Sequence, residues 1–98
     1  MPILEISVIP VGTNNASIGD MVTKACQVVK NKGLEYQVTA TSTIVEGDFN
    51  QLMAVAQEMH SMPFKAGAQR VITNITIDER HDKNDSMDDK VEEVIDRM

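Results

Sequence analysis

Two stretches, one near each end of the chain, alternate apolar and polar residues with a period of two. From Ile3 to Ile9, one face carries Leu4, Ile6 and Val8 and the other carries Ile3, Glu5, Ser7 and Ile9. From Arg70 to Asp78, Val71, Thr73, Ile75 and Ile77 alternate with Arg70, Ile72, Asn74, Thr76 and Asp78. This pattern builds a strand that buries one face. Any fold must therefore join both segments to a sheet with a covered side and a less covered one.

The chain between them supplies the cover. Pro10 and Gly12 end the first strand, and Thr13-Asn14-Asn15 reads as loop. Ser17 with Asp20 resembles a weak capping box, which predicts a helix to about Lys32. Its stripe is Ile18, Met21, Val22, Ala25, Val28 and Val29, and Gly33 suits its C-terminal end. Tyr36 to Glu46 is rich in β-branched residues and too long for one strand in so small a domain. It reads as a hairpin turning at Ala40-Thr41-Ser42. Asp48 with Gln51 starts a second helix, with Phe49, Leu52, Met53, Val55, Ala56 and Met59 as its apolar face. Pro63 is expected to end or kink it near Ser61 to Met62. After the last strand, Ser86 and Asp89 cap a short helix with a narrow stripe of Met87, Val91, Val94, Ile95 and Met98.

The order β-α-β-β-α-β plus a helix is that of an α+β, ferredoxin-like split βαβ sandwich with a short C-terminal helix. Ninety-eight residues suffice for one domain. Residues 1–80 carry the ligand-binding fold, and residues 81–98 form an acidic loop and helix of the same domain. Such a sheet leaves one face open. Here that face shows Ile3, Ile9 and Ile72 beside polar residues, so a homodimer or homotetramer through the open face and strand edges is expected.

Charge and composition exclude several classes. The net charge is −6, concentrated from Asp78 to Met98, where nine acids face four bases. That argues against a nucleic-acid partner, as does the presence of only three aromatic residues, Tyr36, Phe49 and Phe64. No stretch is long and apolar enough for a membrane span. A single cysteine, Cys26, and no leader-like start point to the cytoplasm.

Catalytic chemistry is poorly supplied. His60 and His81 do not sit at metal-ligand spacing, and no nucleophile elbow or phosphate-loop pattern occurs. Neither a metal nor a cofactor is expected, nor is an enzyme. Cys26 falls near the apolar stripe of its helix and reads as an inert thiol. What remains is a set of strand-borne polar groups able to orient a small polar ligand: Glu5, Ser7, Thr41, Thr43, Glu46, Thr73 and Asn74.

Four segments, in order and spacing, resemble the small thiamine-binding-protein family, the single-domain YkoF-like proteins. They are EISVIPVGT (Glu5 to Thr13), KGLEY (Lys32 to Tyr36), TIVEGD (Thr43 to Asp48) and GAQRVITNITIDER (Gly67 to Arg80). The resemblance implies a ferredoxin-like oligomer that binds thiamine or its pyrimidine moiety without catalysis. Thiamine joins a cationic thiazolium to an aminopyrimidine with donor and acceptor edges, so carboxylates and hydroxyls suit it. Glu46 falls in the T-x-x-E-G run. With Asp48 serving as helix cap, Glu46 is expected to be available to the ligand. A purely structural or regulatory oligomerisation domain is the competing expectation.

Overall fold

The computed structural model describes residues 1–12 and 19–98. Its elements are β1 (Ile3–Val11), α1 (Gly19–Asn31), β2 (Glu35–Val38), β3 (Thr43–Glu46), α2 (Phe49–Lys65), β4 (Arg70–Asp78) and α3 (Met87–Arg97). The strands form one antiparallel four-stranded sheet in the order β2-β3-β1-β4. The described residues form an α+β architecture with three helices. Ser17 and Ile18, expected to cap and line the first helix, lie outside the described residues.

Alternation along β1 places its side chains as the sequence predicts. Leu4 and Ile6 are fully buried, and Val8 packs beside them. They meet Val45 of β3, Ala25, Val28 and Val29 of α1, and Leu52, Val55, Ala56 and Met59 of α2. This core is entirely aliphatic, so its cohesion rests on close packing and on apolar area removed from water. The two helices therefore share one side of the sheet.

The helix ends follow local chemistry. Gly33 takes φ +70°, the left-handed conformation that closes α1. At the start of α2, the Asp48 N–H donates to Gln51 Oε1 at 3.1 Å. A Cβ on Gly47 would stand 3.3 Å from that same oxygen, so glycine lets the glutamine fold back. The hairpin turns between Val38 and Thr43, where the sequence places it.

Two expectations are corrected. Pro63 does not end α2 at Ser61 to Met62; the helix runs on to Lys65 with Pro63 fully buried. The proline has no N–H to give the carbonyl four residues back, a hydrogen bond lost near the end of the helix, and burial of its ring in the core offsets that loss. The Ala66 and Ala68 amides then donate to the Pro63 carbonyl at 3.1 and 2.9 Å. Phe49 and Met53, which helical spacing assigns to the core face of α2, are 48% and 39% exposed. The buried stripe is Leu52, Val55, Ala56, Met59 and Pro63, and it leaves both residues to one side.

Leu52→Ala removes a side chain with no solvent exposure. It should cost about 3 kcal/mol in urea unfolding. Val94→Ala, on a side chain 60% exposed, should stay within about 0.5 kcal/mol.

Candidate functional site

Strand length decides where a cavity can form. β1 pairs with β3 only from Ile3 to Ile6, whereas it pairs with β4 along its whole length. Among the described residues, β1 from Ser7 to Val11 therefore has β4 on one side and no ladder strand on the other. The chain there runs through the turn Thr39 to Ser42 that joins β2 to β3. A cavity of about 290 Å³ opens between that turn, the far half of β1 and α1.

Ile6, Val8, Val22, Ala25 and Met59 give this cavity apolar walls. Its polar rim comes from the turn. Thr39 Oγ1 accepts the Ser42 N–H at 3.1 Å and lies 3.0 Å from the Ser42 carbonyl, to which it donates. A threonine hydroxyl that closes a turn in this way replaces a backbone bond. Ser42 Oγ in turn donates to Glu5 Oε2 at 3.2 Å, so a carboxylate is tied to the rim. At the inner end, Thr43 is 4% exposed and its Oγ1 lies 3.3 Å from Cys26 Sγ. Thr43 points toward the helices because Ile6, its partner in register, does so.

The polar residues singled out in the sequence divide between places. Ser7, Thr41 and Thr43 line the cavity, and Glu5 joins it through Ser42. Asn74 stands opposite Ser7 on β4, exposed and outside the lining. Thr73 faces α2, with Oγ1 2.7 Å from His60 Nδ1. Glu46 lies at the other end of the sheet. Its Oε1 accepts the Met87 N–H at 3.2 Å, at the start of α3. There Gln37 Nε2 donates to Asp88 Oδ1 at 3.1 Å, and Lys90 Nζ lies 3.4 Å from Asp78 Oδ2. Three strands thus hold the start of α3 over one end of the open face.

Thr39, Ser42 and Cys26 also line the cavity, and the sequence reading did not select them. A T-x-x-S run within a hairpin turn was the available signal for the first two. Cys26 gave none beyond its helical position. Among the described residues, no three His, Cys, Asp or Glu side chains gather as a metal ion would need. No helix among them is long and apolar enough to cross a membrane.

Residues 4–95 match the model of the thiamine-binding protein family. The chain belongs to that family. Among its relatives, a protein encoded beside glkA in Staphylococcus xylosus, named only as a UPF0045 protein, is 41% identical, over 96% of this chain and 92% of its own. The UPF0045 protein YqgV of Bacillus subtilis is 37% identical, over 96% and 94%. Solved structures give the same fold. The hypothetical protein MJ1052 of Methanocaldococcus jannaschii superposes with a TM-score of 0.86 at 32% identity, over 95% of this chain and 94% of that one. A Thermotoga maritima protein designated a candidate for thiamine biosynthesis or salvage superposes at 0.79 over 95% and 97%, with 22% identity. At that identity the likeness is one of fold.

Two measurements check the anchoring of α3 in this thiamine-binding family member. Glu46→Ala removes a charged acceptor from the Met87 N–H and should lower amide protection through the first turn of α3. The loss should be on the order of 1–2 kcal/mol of local opening free energy, with β1 protection unchanged. The second concerns pH. Asp89 is held below its ordinary carboxylate value of 3.8, chiefly by the hydrogen bond from the Ser86 backbone N–H. A carboxylate depressed in the fold stabilises above its unfolded value, and that contribution disappears as pH falls through the folded value. Carbon shifts of Met87 to Val91 should therefore move toward coil in acid below 3.8. Asp89→Asn should remove that dependence.

Proposed function

We propose that this chain is a non-enzymatic cytoplasmic carrier or sensor that binds thiamine or its hydroxymethylpyrimidine moiety in the cavity beside β1. The observation that carries this reading is the cavity itself. At about 290 Å³, it stands at the lower end of the ~300–1,000 Å³ usual for small-molecule sites. That volume suits one substituted ring and leaves a second ring toward solvent. Apolar walls from Ile6, Val8 and Met59 favour a flat heterocycle. Hydroxyls of Ser7, Thr41 and Thr43 supply donors and acceptors for an aminopyrimidine edge. The backbone of β1 beyond Ile6, which β3 does not reach, offers more.

Glu5 supplies the charge. It is tied to the rim through Ser42, and an attached thiazolium reaching out of the cavity would meet it there. A net charge of −6 also favours approach of a cationic ligand. Glu46 serves α3 rather than the ligand, and Asn74 lies outside the cavity.

The strand order β2-β3-β1-β4 with a split βαβ connection is read here as the ferredoxin-like plan. Its open face leaves Ile9 and Ile72 41% and 42% exposed. We read this as a surface for self-association into a homodimer or homotetramer.

Titration calorimetry with thiamine and with the free pyrimidine alcohol tests the reading. Both should bind saturably at one site per chain. Thr43→Val should weaken both about tenfold, by the loss of one hydrogen bond near a buried wall. Glu5→Gln should weaken thiamine about fivefold, a charge interaction near 1 kcal/mol, and spare the neutral alcohol. Glu46→Gln should change neither. Absence of heat with either compound, from folded protein, would overturn the proposal.

A further inference from the structure

The mouth of the cavity carries charge of one sign. Glu5 is exposed there, and its Oε2 accepts from the Ser42 hydroxyl at 3.2 Å. That donor is neutral, so it orients the carboxylate without offsetting its charge. Thr39 holds Ser42 in turn, with Oγ1 2.9 Å from Ser42 Oγ and 3.0 Å from the Ser42 carbonyl. A short chain of hydroxyls thus ties the carboxylate to the turn.

The surroundings of Glu5 add no compensating cation. None of the residues that line the cavity is Lys, Arg or His, and residues 13–18 contain no charged side chain. On the sheet, Glu5 stands between Ile44 of β3 and Thr76 of β4. Glu46 and Asp78 both stand opposite Ile3, and Glu35 stands opposite Glu46. Residues opposite in register share a face, and alternate residues of β1 do too, so these carboxylates lie on the same face as Glu5. The start of α3 takes up Glu46 and Asp78, and Glu5 is left at the mouth. On that face Arg70 stands opposite Val11, about 20 Å along β4 from the level of Glu5.

Ligand chemistry turns this charge into a filter. In the aminopyrimidine alcohol, one exocyclic methylene carries the hydroxyl. In thiamine the same methylene carries the thiazolium. With the ring against the apolar walls, that methylene faces the mouth, and its substituent meets Glu5 in both compounds. A cation is favoured there and a hydroxyl is neutral. A phosphate monoester brings close to two negative charges to the same point. Proteins that hold phosphate answer it with Arg or Lys, whereas this mouth presents a carboxylate.

We propose that the cavity selects by charge: it takes thiamine and the free aminopyrimidine alcohol and rejects the phosphate ester of that alcohol, with Glu5 as the residue that sets the selection. The inference rests on the binding function proposed above and assigns that site its class of ligand, the unphosphorylated forms.

Competition calorimetry tests it, with circular dichroism as the check on folding. The groove between α2 and β4 is lined by Asn50, Met53, Gln57 and His60, among others. An ester held in that groove would give heat without displacing the alcohol, so displacement is the readout. In the wild-type chain the ester should displace the alcohol at least about tenfold more weakly than the alcohol binds, the scale of one like-charge contact near a protein surface. Glu5→Gln should shrink that ratio to about threefold or less, and Glu5→Lys should invert it. Raising the salt from about 0.01 M to about 1 M, which shortens the screening length from roughly 30 to 3 Å, should narrow the wild-type ratio. An ester that competes as well as the alcohol in the wild-type chain overturns the inference and leaves the binding function standing. A ratio that neither Glu5 variant moves also overturns it. Absence of binding by both thiamine and the alcohol overturns the function and the inference together.

Discussion

The mismatch in length between β1 and β3 organises this molecule. β3 spans Thr43 to Glu46 and can satisfy β1 only as far as Ile6. Buried backbone groups need partners, so the remaining stretch of β1 depends on β4 on one side and opens to a cavity on the other. Had the hairpin been longer, its strands would have filled that space. The hydroxyl of Thr39 instead closes the turn early and aims Thr41 and Ser42 at the opening. Fold and site thus follow from one place where a ladder stops.

The same principle separates the two ends of the sheet. At the Glu46 end, Gln37, Glu46 and Asp78 are taken up in holding the start of α3. At the Ser7 end, polar groups surround a mostly apolar cavity. Carboxylates on one sheet therefore serve different purposes. Glu46 accepts a helix N-terminal N–H, where the dipole favours negative charge. Glu5 accepts from a side-chain hydroxyl at the cavity rim, where its charge faces solvent.

Much of the architecture was legible in the residues. Period-two alternation placed the faces of β1 and β4, because burial on one side leaves a direct trace in sequence. Asp48-x-x-Gln51 and Ser86-x-x-Asp89 marked two helix starts by local hydrogen bonding. What escaped depended on distance along the chain. That β3 stops opposite Ile6 is a matter of register between segments some forty residues apart. The use of Glu46 by Met87 is likewise a long-range contact, invisible to spacing. Pro63 misled because the rule that a proline ends a helix counts the lost hydrogen bond and not the burial of the ring, which here offsets it. Phe49 and Met53 lie close enough in phase to the core stripe to be read as part of it, yet the packing of α2 leaves them aside.

The central claim is that the ligand sits where the β1–β3 ladder ends. Amide chemical-shift mapping during titration with thiamine tests it most directly. The account predicts perturbations centred on Ser7 to Ile9, Cys26 and Thr39 to Thr43, with Glu35, Glu46 and Asp78 unmoved. Perturbations centred on Glu46 and the start of α3, or on the groove between α2 and β4, would contradict it.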